Sequence, residues 1–392
     1  MMLKGKKILI GVTGSIAAYK ICDLVRRLRK QNAEVHVILT ESGEKFIGRA
    51  TFEALSGNPA ATDMWTSASR ISHIELAQEA DLLVIAPATA NIMAKAANGI
   101  CDDLLSTVII ARRSPVMFVP AMNRYMWENA ATQRNVSTLK SDGALFCGPA
   151  SGEQACGDVG SGRMTEPEDI EESVIRFFHP KKLCNKKVLM TIGPTFEAID
   201  PVRGLTNSSS GRQGWEIALA AARSGAAVTA VYGPCSKRNI PGVSCISVQS
   251  ADEMFSAVKN CIDNESPDVF IGVAAVCDFR PTSKSGLKWK KGTCPTAIEL
   301  SENRDILAFA GSEKKIPLVV GFAAETDHLL ENAQKKLKNK GADLIVANGA
   351  ETIGSFQTEA IFVTADSAEP QGLLTKAELA ERLISKISAL TK

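Results

Sequence analysis

Short apolar or β-branched runs recur through the first half of the chain at residues 6–12, 33–40, 81–88 and 115–122. Between them lie polar stretches with apolar positions at helical spacing, as in Ile21, Leu24, Val25 and Leu28 after the first run. Runs that lack polar alternation predict strands buried on both faces, and their alternation with helices predicts a parallel sheet covered on both sides. The pattern restarts at residues 186–191, where Lys-Lys-Val-Leu-Met echoes Lys-Lys-Ile-Leu-Ile at 6–10, and continues at 227–232, 268–276, 317–323 and 343–347. Two of the intervening helices carry capping boxes, Ser250 with Glu253 and Thr375 with Glu378. The stretch 179–185, with Pro180, reads as the separator. The expectation is α/β, with two doubly wound parallel-sheet domains at 1–184 and 185–392 and ligands at the carboxyl ends of the strands.

Composition narrows the class. With 392 residues, 45% hydrophobic and 22% charged, the chain is neither disordered, collagen-like nor a small disulfide framework. A formal net charge of +2 argues against a dedicated nucleic-acid or membrane-surface binder. The longest apolar runs are too short to span a bilayer, and the first residues run straight into a strand with no room for a signal peptide, so a cytoplasmic protein is expected. The ten cysteines show no CxxC pair or zinc-like spacing, which predicts mostly reduced, buried thiols with one reserved for chemistry.

Gly11, Thr13, Gly14 and Ser15 follow the first strand with small and hydroxyl residues at a helix start, a pattern suited to a phosphate. It is not GxGxxG, and the second strand ends in Leu39 and Thr40 rather than an acidic residue, which favours a phosphomonoester such as FMN over NAD. An unliganded glycine turn is the alternative. His73, the segment 87–91 and the segment 120–127 add polar residues at further element ends, and the glycine-rich residues 152–164 around Cys156 read as a flap. By itself His73 also fits a structural histidine, Asn123 a helix cap and Cys156 a loop thiol.

Segments 87–91 and 120–127 and the Cys156 flap resemble the signature motifs and substrate clamp of the flavin-containing cysteine decarboxylases, phosphopantothenoylcysteine decarboxylase in particular. The resemblance implies a flavodoxin-like fold with FMN held by Gly14, Ser15, Thr40, Thr89, Asn91 and Met122. It further implies His73 as acid/base at the flavin, Asn123 as the carboxylate anchor and Cys156 as the proton donor that completes reduction. In that family the flavin oxidises the cysteinyl thiol to a thioaldehyde, the electron sink for loss of CO2.

In the second half, Arg203 and the run Asn207 to Arg212 set cations, amides and hydroxyls before a helix, a second anion site. Lys284, Lys288, Lys290 and Lys291 crowd one loop, and Lys336 and Lys340 lie one turn apart, an arrangement a polyphosphate would relieve. A solvated lysine face is the alternative. Segments 193–211, 274–291, 303–306, 321–326 and 335–348 resemble bacterial phosphopantothenate–cysteine ligase, and the two halves together resemble the bifunctional coenzyme A biosynthesis flavoproteins.

That resemblance implies a Rossmann-like domain that uses CTP and Mg2+ to make an acyl-cytidylate from 4′-phosphopantothenate, which cysteine then attacks. CTP contacts are implied for Asp278, Lys288, Asn303, Arg304, Asp305, Ile306, Phe322, Lys336 and Lys340. Asn207 would hold the acyl-cytidylate, Lys288 promote its formation and Arg203 meet the acid substrate; the Mg2+ ligands are unassigned. A homo-oligomer is also implied, with a trimer-based decarboxylase core and dimeric ligase domains. Phe196, Arg304 and Gly349 depart from the family pattern of Arg, Pro and Asp, which makes nucleotide choice a point to test. Two rivals are a peptidyl-cysteine decarboxylase with a degenerate second half and a binding protein that has lost catalysis.

Overall fold

A computed structural model of the chain describes residues 2–64, 73–154, 157–290, 297–325, 327–349 and 355–391. It divides into two units, Met1–Phe178 and His179–Lys392.

The first unit opens with β1 (Lys7–Val12), α1 (Ala18–Lys30), β2 (Glu34–Leu39), the short helices α2 (Glu41–Glu44) and α3 (Arg49–Ser56), and the two-residue β3 (Ala60–Ala61). Then come α4 (His73–Glu79), β4 (Leu82–Ala88), α5 (Ala90–Asn98), α6 (Leu104–Ala111) and β5 (Val116–Pro120). After α7 (Arg124–Glu128), α8 (Ala130–Ser141) and β6 (Leu145–Phe146), a hairpin of β7 (Ala150–Glu153) and β8 (Val159–Arg163) leads to α9 (Pro167–Phe178). The sheet is parallel throughout, in the order β3-β2-β1-β4-β5-β6. Without the stub β3 this is the flavodoxin order, whose switch point lies between β1 and β4.

Every residue of β4 and β5 is buried, because helices cover both faces of the sheet. Leu24, Val25, Leu28, Ile170 and Val174 pack on one face, and Ile92, Leu105, Val108 and Leu139 on the other. At roughly 1.5–3 kcal/mol for each fully buried aliphatic side chain, these two layers supply the main driving force for the unit.

The stretch read as a separator packs with the second unit. Leu183 is fully buried in that unit's core, and His179 Nε2 lies 3.0 Å from Glu381 Oε2. The unit then runs β9 (Lys187–Ile192), β10 (Phe196–Ala198), β11 (Gly204–Thr206), α10 (Arg212–Arg223), β12 (Ala227–Tyr232), β13 (Val243–Ser247) and α11 (Ala251–Glu265). It continues with β14 (Val269–Gly272), β15 (Phe279–Pro281), β16 (Leu300–Glu302), α12 (Ile306–Ser312), β17 (Leu318–Glu325), α13 (Leu329–Lys340) and β18 (Leu344–Gly349). The last elements are β19 (Gln357–Val363), β20 (Ala368–Thr375) and α14 (Lys376–Leu390).

Its main sheet has the order β13-β12-β9-β14-β17-β18-β19-β20. The first six strands are parallel, and β19 and β20 add an antiparallel pair beyond the wholly parallel sheet expected from the runs. The Thr364–Ser367 turn, closed by Thr364 N–H on the Ser367 carbonyl at 2.9 Å, is too short for a crossover and so reverses the chain. The Thr375–Glu378 box forms in full. At Ser250 half of it forms: the Ser250 hydroxyl accepts from Glu253 N–H, but the Glu253 carboxylate takes the N–H of Gln249 instead.

Candidate active sites

In the first unit the expected residues gather along the carboxyl edge of the sheet. The buried Thr13 hydroxyl donates to the Pro87 carbonyl at 2.6 Å and lies 3.4 Å from Thr89 Oγ1, tying the loops after β1 and β4 together across the switch point. Gly14 sits where a Cβ would come 2.5 Å from Ser42 Cβ, so only glycine lets the β1–α1 turn approach α2 this closely. Thr40 caps α2 and Thr89 caps α5, while Asn91 is exposed in the first turn of α5. Helix α1 has Ala17 at its N-cap with no side-chain cap, and its Ala18 and Lys20 amides are taken by the Ser15 and Ala17 carbonyls at 2.9 and 3.0 Å.

Ser15, Met122 and Asn123 line one cavity of about 520 Å³ together with Tyr19, Lys20 and Gln154. Asn123 caps α7 through Oδ1, which accepts from Tyr125 N–H at 2.8 Å, and its Nδ2 donates to Asp158 Oδ2 at 2.7 Å. The amide is thereby oriented by the helix start and already carries a carboxylate. The cavity's two cations, Lys20 and Arg163, both pair with Glu166, and this pairing, Lys20 first, holds the Glu166 carboxyl below its usual range. His73 is the first residue of α4 and its side chain lies outside the described set; Cys156 lies outside the described residues. Cys147, Cys261 and Cys277 are buried, and burial pushes the Cys261 thiol up to about 11, which leaves it inert at neutral pH.

In the second unit β14 stops at Gly272, four residues short of the apolar run. The chain beyond it leaves the ladder because the hydroxyls of Thr191 and Thr195 take the amides of Ala274 and Cys277, at 3.3 and 3.0 Å. This bend opens two adjoining cavities. One, about 460 Å³, is lined by Asp278, the segment 302–307, Phe322, Lys336 and Lys340. The other, about 540 Å³, is lined by Asn207, the segment 208–214, Thr358 and Lys376. They share Ala274, Val276, Asp278, Phe322 and Lys336.

Each polar wall residue is positioned by its neighbours. Asn303 Nδ2 donates to the Cys277 carbonyl at 2.8 Å, and its Oδ1 accepts from Arg280 at 2.8 Å. Arg304 pairs with Asp252 and stacks over the Phe255 ring, 4.0 Å from its centroid. Asp305 caps α12 and pairs with Lys340; burial alone would raise its pKa, but the Ala308 amide and Lys340 outweigh that and hold it low. Ile306 is buried beneath it. Lys336 makes no hydrogen bond or ion pair among the described residues, and burial pulls its pKa down. Asn207 Nδ2 donates to the Ala275 carbonyl at 2.9 Å.

Arg203 and Lys288 line neither cavity. Arg203 donates to the Trp289 carbonyl at 2.9 Å, and the buried Asp200 accepts from the amides of Val202, Arg203 and Trp289 at 2.7, 2.8 and 3.2 Å. Asp200 and Arg203 therefore clip the loop that carries the exposed Lys288.

The Flavoprotein family model matches residues 1–179, and that of the DNA/pantothenate metabolism flavoprotein C-terminal domain matches residues 183–390. The coenzyme A biosynthesis bifunctional protein CoaBC of Vibrio vulnificus (strain YJ016) is 44% identical, covering 99% of this chain and 98% of its own. The chain belongs to the CoaBC family. The CoaBC protein of Escherichia coli (strain K12) is also 44% identical, over 89% of this chain and 87% of its own. Among solved structures, the C-terminal domain of a CoaBC protein is 37% identical over 54% of this chain and 97% of its own, with a TM-score of 0.47.

For this CoaBC family member the sequence reading missed Gln154 and Lys20 in the first cavity and Thr358 and Lys376 in the second unit. Lys376 did leave a signal. It follows a capping threonine, where a cation opposes the helix dipole. Among the described residues no group of three or more His, Cys, Asp or Glu is placed to hold a metal ion, and no helix is long and apolar enough to cross a membrane.

Proposed function

We propose that the chain carries out two consecutive steps of coenzyme A biosynthesis. The second unit joins 4′-phosphopantothenate to cysteine at the expense of CTP, and the first decarboxylates the product to 4′-phosphopantetheine. The observation that carries the ligase reading is the pair of cavities meeting at Asp278, Phe322 and Lys336. A nucleotide in one and an acid in the other have their reacting ends at the common wall. The carboxylate attacks the nucleotide's α-phosphorus and pyrophosphate leaves; the cysteine amine then attacks the acyl carbon and CMP leaves.

In the nucleotide cavity the family pattern assigns Asn303, Arg304, Asp305, Ile306, Phe322, Lys336 and Lys340 to CTP. Lys336 is suited to the triphosphate because no carboxylate among the described residues is hydrogen-bonded to it, whereas Lys340 is paired with Asp305. Asn207 donates to the acyl-cytidylate, and Lys288, once its loop is drawn over the shared wall, offsets the charge developing on the phosphate. Mg2+ accompanies CTP and brings its own charge to the same wall.

The carboxyl edge of the first unit fits FMN: the small Gly14–Ser15 turn and the Thr40 turn suit its phosphate, and Thr89, Asn91 and Met122 border the switch point. When bound, FMN supplies the two-electron redox chemistry that activates the cysteinyl group for loss of CO2. Asn123 anchors the substrate carboxylate through the amide N–H that now holds Asp158, so one carboxylate replaces another. His73 and Cys156 move the protons. We place the protein in the cytoplasm as a homo-oligomer, with trimeric decarboxylase and paired ligase domains.

The test is the complete reaction: purified protein, 4′-phosphopantothenate, cysteine and Mg2+ with either CTP or ATP, followed by mass spectrometry and flavin absorbance. Accumulation of 4′-phosphopantetheine with CTP by a yellow protein is expected. A colourless protein, or no ligated product with either nucleotide, sinks the corresponding half.

A further inference from the structure

Asp278 puts a negative charge where the ligase gathers anions. It lines the wall common to the two cavities, and it is the one acidic side chain among the described residues lining the acid cavity. Its carboxylate makes no hydrogen bond or ion pair among the described residues. The other acids of the nucleotide cavity are placed differently. Asp305 is engaged by the Ala308 amide at 2.8 Å and by Lys340, and Glu302 lines the nucleotide side alone.

The backbone at this point is held while the side chain is left bare. The Cys277 amide donates to Thr195 Oγ1 at 3.0 Å, and its carbonyl accepts from Asn303 Nδ2 at 2.8 Å. The Asp278 carbonyl accepts from the Asn303 amide at 2.7 Å, and residue 278 is exposed to the cavities. A ligand that meets this carboxylate therefore finds it already positioned.

Neither reactant of the first half-step can use it. The acid brings a carboxylate and the nucleotide brings phosphates, and a third negative group at short range repels both. Lys336 on the same wall and Lys340 beyond it serve the nucleotide. Cysteine is the substrate that arrives with a cation. Its α-ammonium group must come to the acyl carbon at the shared wall, and a free carboxylate there offers a charge-assisted hydrogen bond that orients the nitrogen.

We propose that Asp278 is the subsite for the α-ammonium group of cysteine and accepts its proton in the second half of ligation. This rests on the ligase reading. The ammonium donates to the carboxylate and gives it one proton, and the freed lone pair attacks the acyl carbon. The C–O bond to CMP breaks with its electron pair on the phosphate oxygen. The second nitrogen proton, made acidic by the new C–N bond, passes to that phosphate, and Asp278 returns its own proton to water.

The test uses the full-length chain and Asp278→Asn, which keeps the shape and removes the charge. Pyrophosphate release is followed in a single turnover with 4′-phosphopantothenate, CTP and Mg2+, and CMP release after adding either cysteine or hydroxylamine. Hydroxylamine is uncharged at neutral pH and attacks acyl phosphates without a carboxylate to receive it. Losing one charge-assisted contact predicts a kcat/KM for cysteine roughly 10- to 150-fold lower, read as CMP release. Pyrophosphate release, and CMP release with hydroxylamine, should change less than about threefold. An equal loss with hydroxylamine, or an unchanged kcat/KM for cysteine, overturns the proposal. So does pyrophosphate release that falls in the variant and recovers at raised Mg2+, because the carboxylate would then hold the nucleotide's metal. A wild-type chain that releases no pyrophosphate sinks the ligase reading and the proposal with it; a wild-type chain that ligates, matched by its variant, sinks the proposal alone.

Discussion

Replacing Lys336 with methionine should make the free protein more stable and the ligase worse. Lys336 lies on α13 one turn before Lys340, a like-charge spacing that costs about 0.2–0.5 kcal/mol, and no carboxylate among the described residues is within ion-pair distance of it; burial outweighs the more distant pull of Glu325, Asp305 and Asp278. Methionine fills a similar volume with equal helix propensity. A gain of about 0.5 kcal/mol in a unit of this size raises the melting temperature by roughly 1–2 °C. With CTP the sign reverses, because a charge-assisted contact to phosphate of about 1.5–3 kcal/mol is lost, which lowers kcat/KM for CTP roughly 10- to 150-fold.

The pH dependence follows from the lowered pKa, whose largest cause is burial. The unfolded chain holds this proton up to about pH 10.4, the folded one releases it earlier, so stability rises with pH between the two values. CTP favours the charged amine, so its affinity falls as pH rises through the lowered value. Scanning fluorimetry with and without CTP across pH, together with steady-state kinetics, measures both slopes. A lower melting temperature for the free Lys336→Met protein, or an unchanged KM for CTP, refutes the reasoning.

Further outcomes follow from other contacts. Asp200→Asn should loosen the Lys288 loop and cut ligation by up to about a hundredfold with decarboxylation unaffected, as measured by separate assays of the two steps; normal ligation would show that the Asp200–Trp289 clip is irrelevant. Asp158→Ala should free the Asn123 amide and lower KM for 4′-phosphopantothenoylcysteine severalfold, and a raised KM would mean that Asp158 assists binding instead. Lys288→Gln should block ligation but leave decarboxylation of supplied 4′-phosphopantothenoylcysteine intact; equal loss of both would contradict a division of labour between the units.

The strands of both parallel sheets were legible because burial on both faces removes the polar alternation that would otherwise blur them: β12 starts and stops where its apolar run does, and every residue of β4 is buried. The pair β19 and β20 was not, since Glu359, Glu369 and Gln371 interrupt their apolar positions at the sheet's edge. The end of β14 was hidden for a different reason. Its run stays apolar past Gly272, and the break is imposed by threonine hydroxyls on β9 and the turn after it, more than eighty residues earlier.

The same distinction governs the sites. Residues such as Thr89 and Asn123 could be found because helix caps directly after strands must lie on the carboxyl edge of a parallel sheet, whatever the rest of the chain does. Lys376 and Arg212 lie 164 positions apart, and what brings them together is the packing of α14 against α10, which periodicity does not encode. Yet the conflict at Lys376 is local: a capping box commits residue 376 to the positive end of a helix, and lysine is the wrong charge for that place. Opposition between a charge and the helix it begins is therefore a signal readable without a structure.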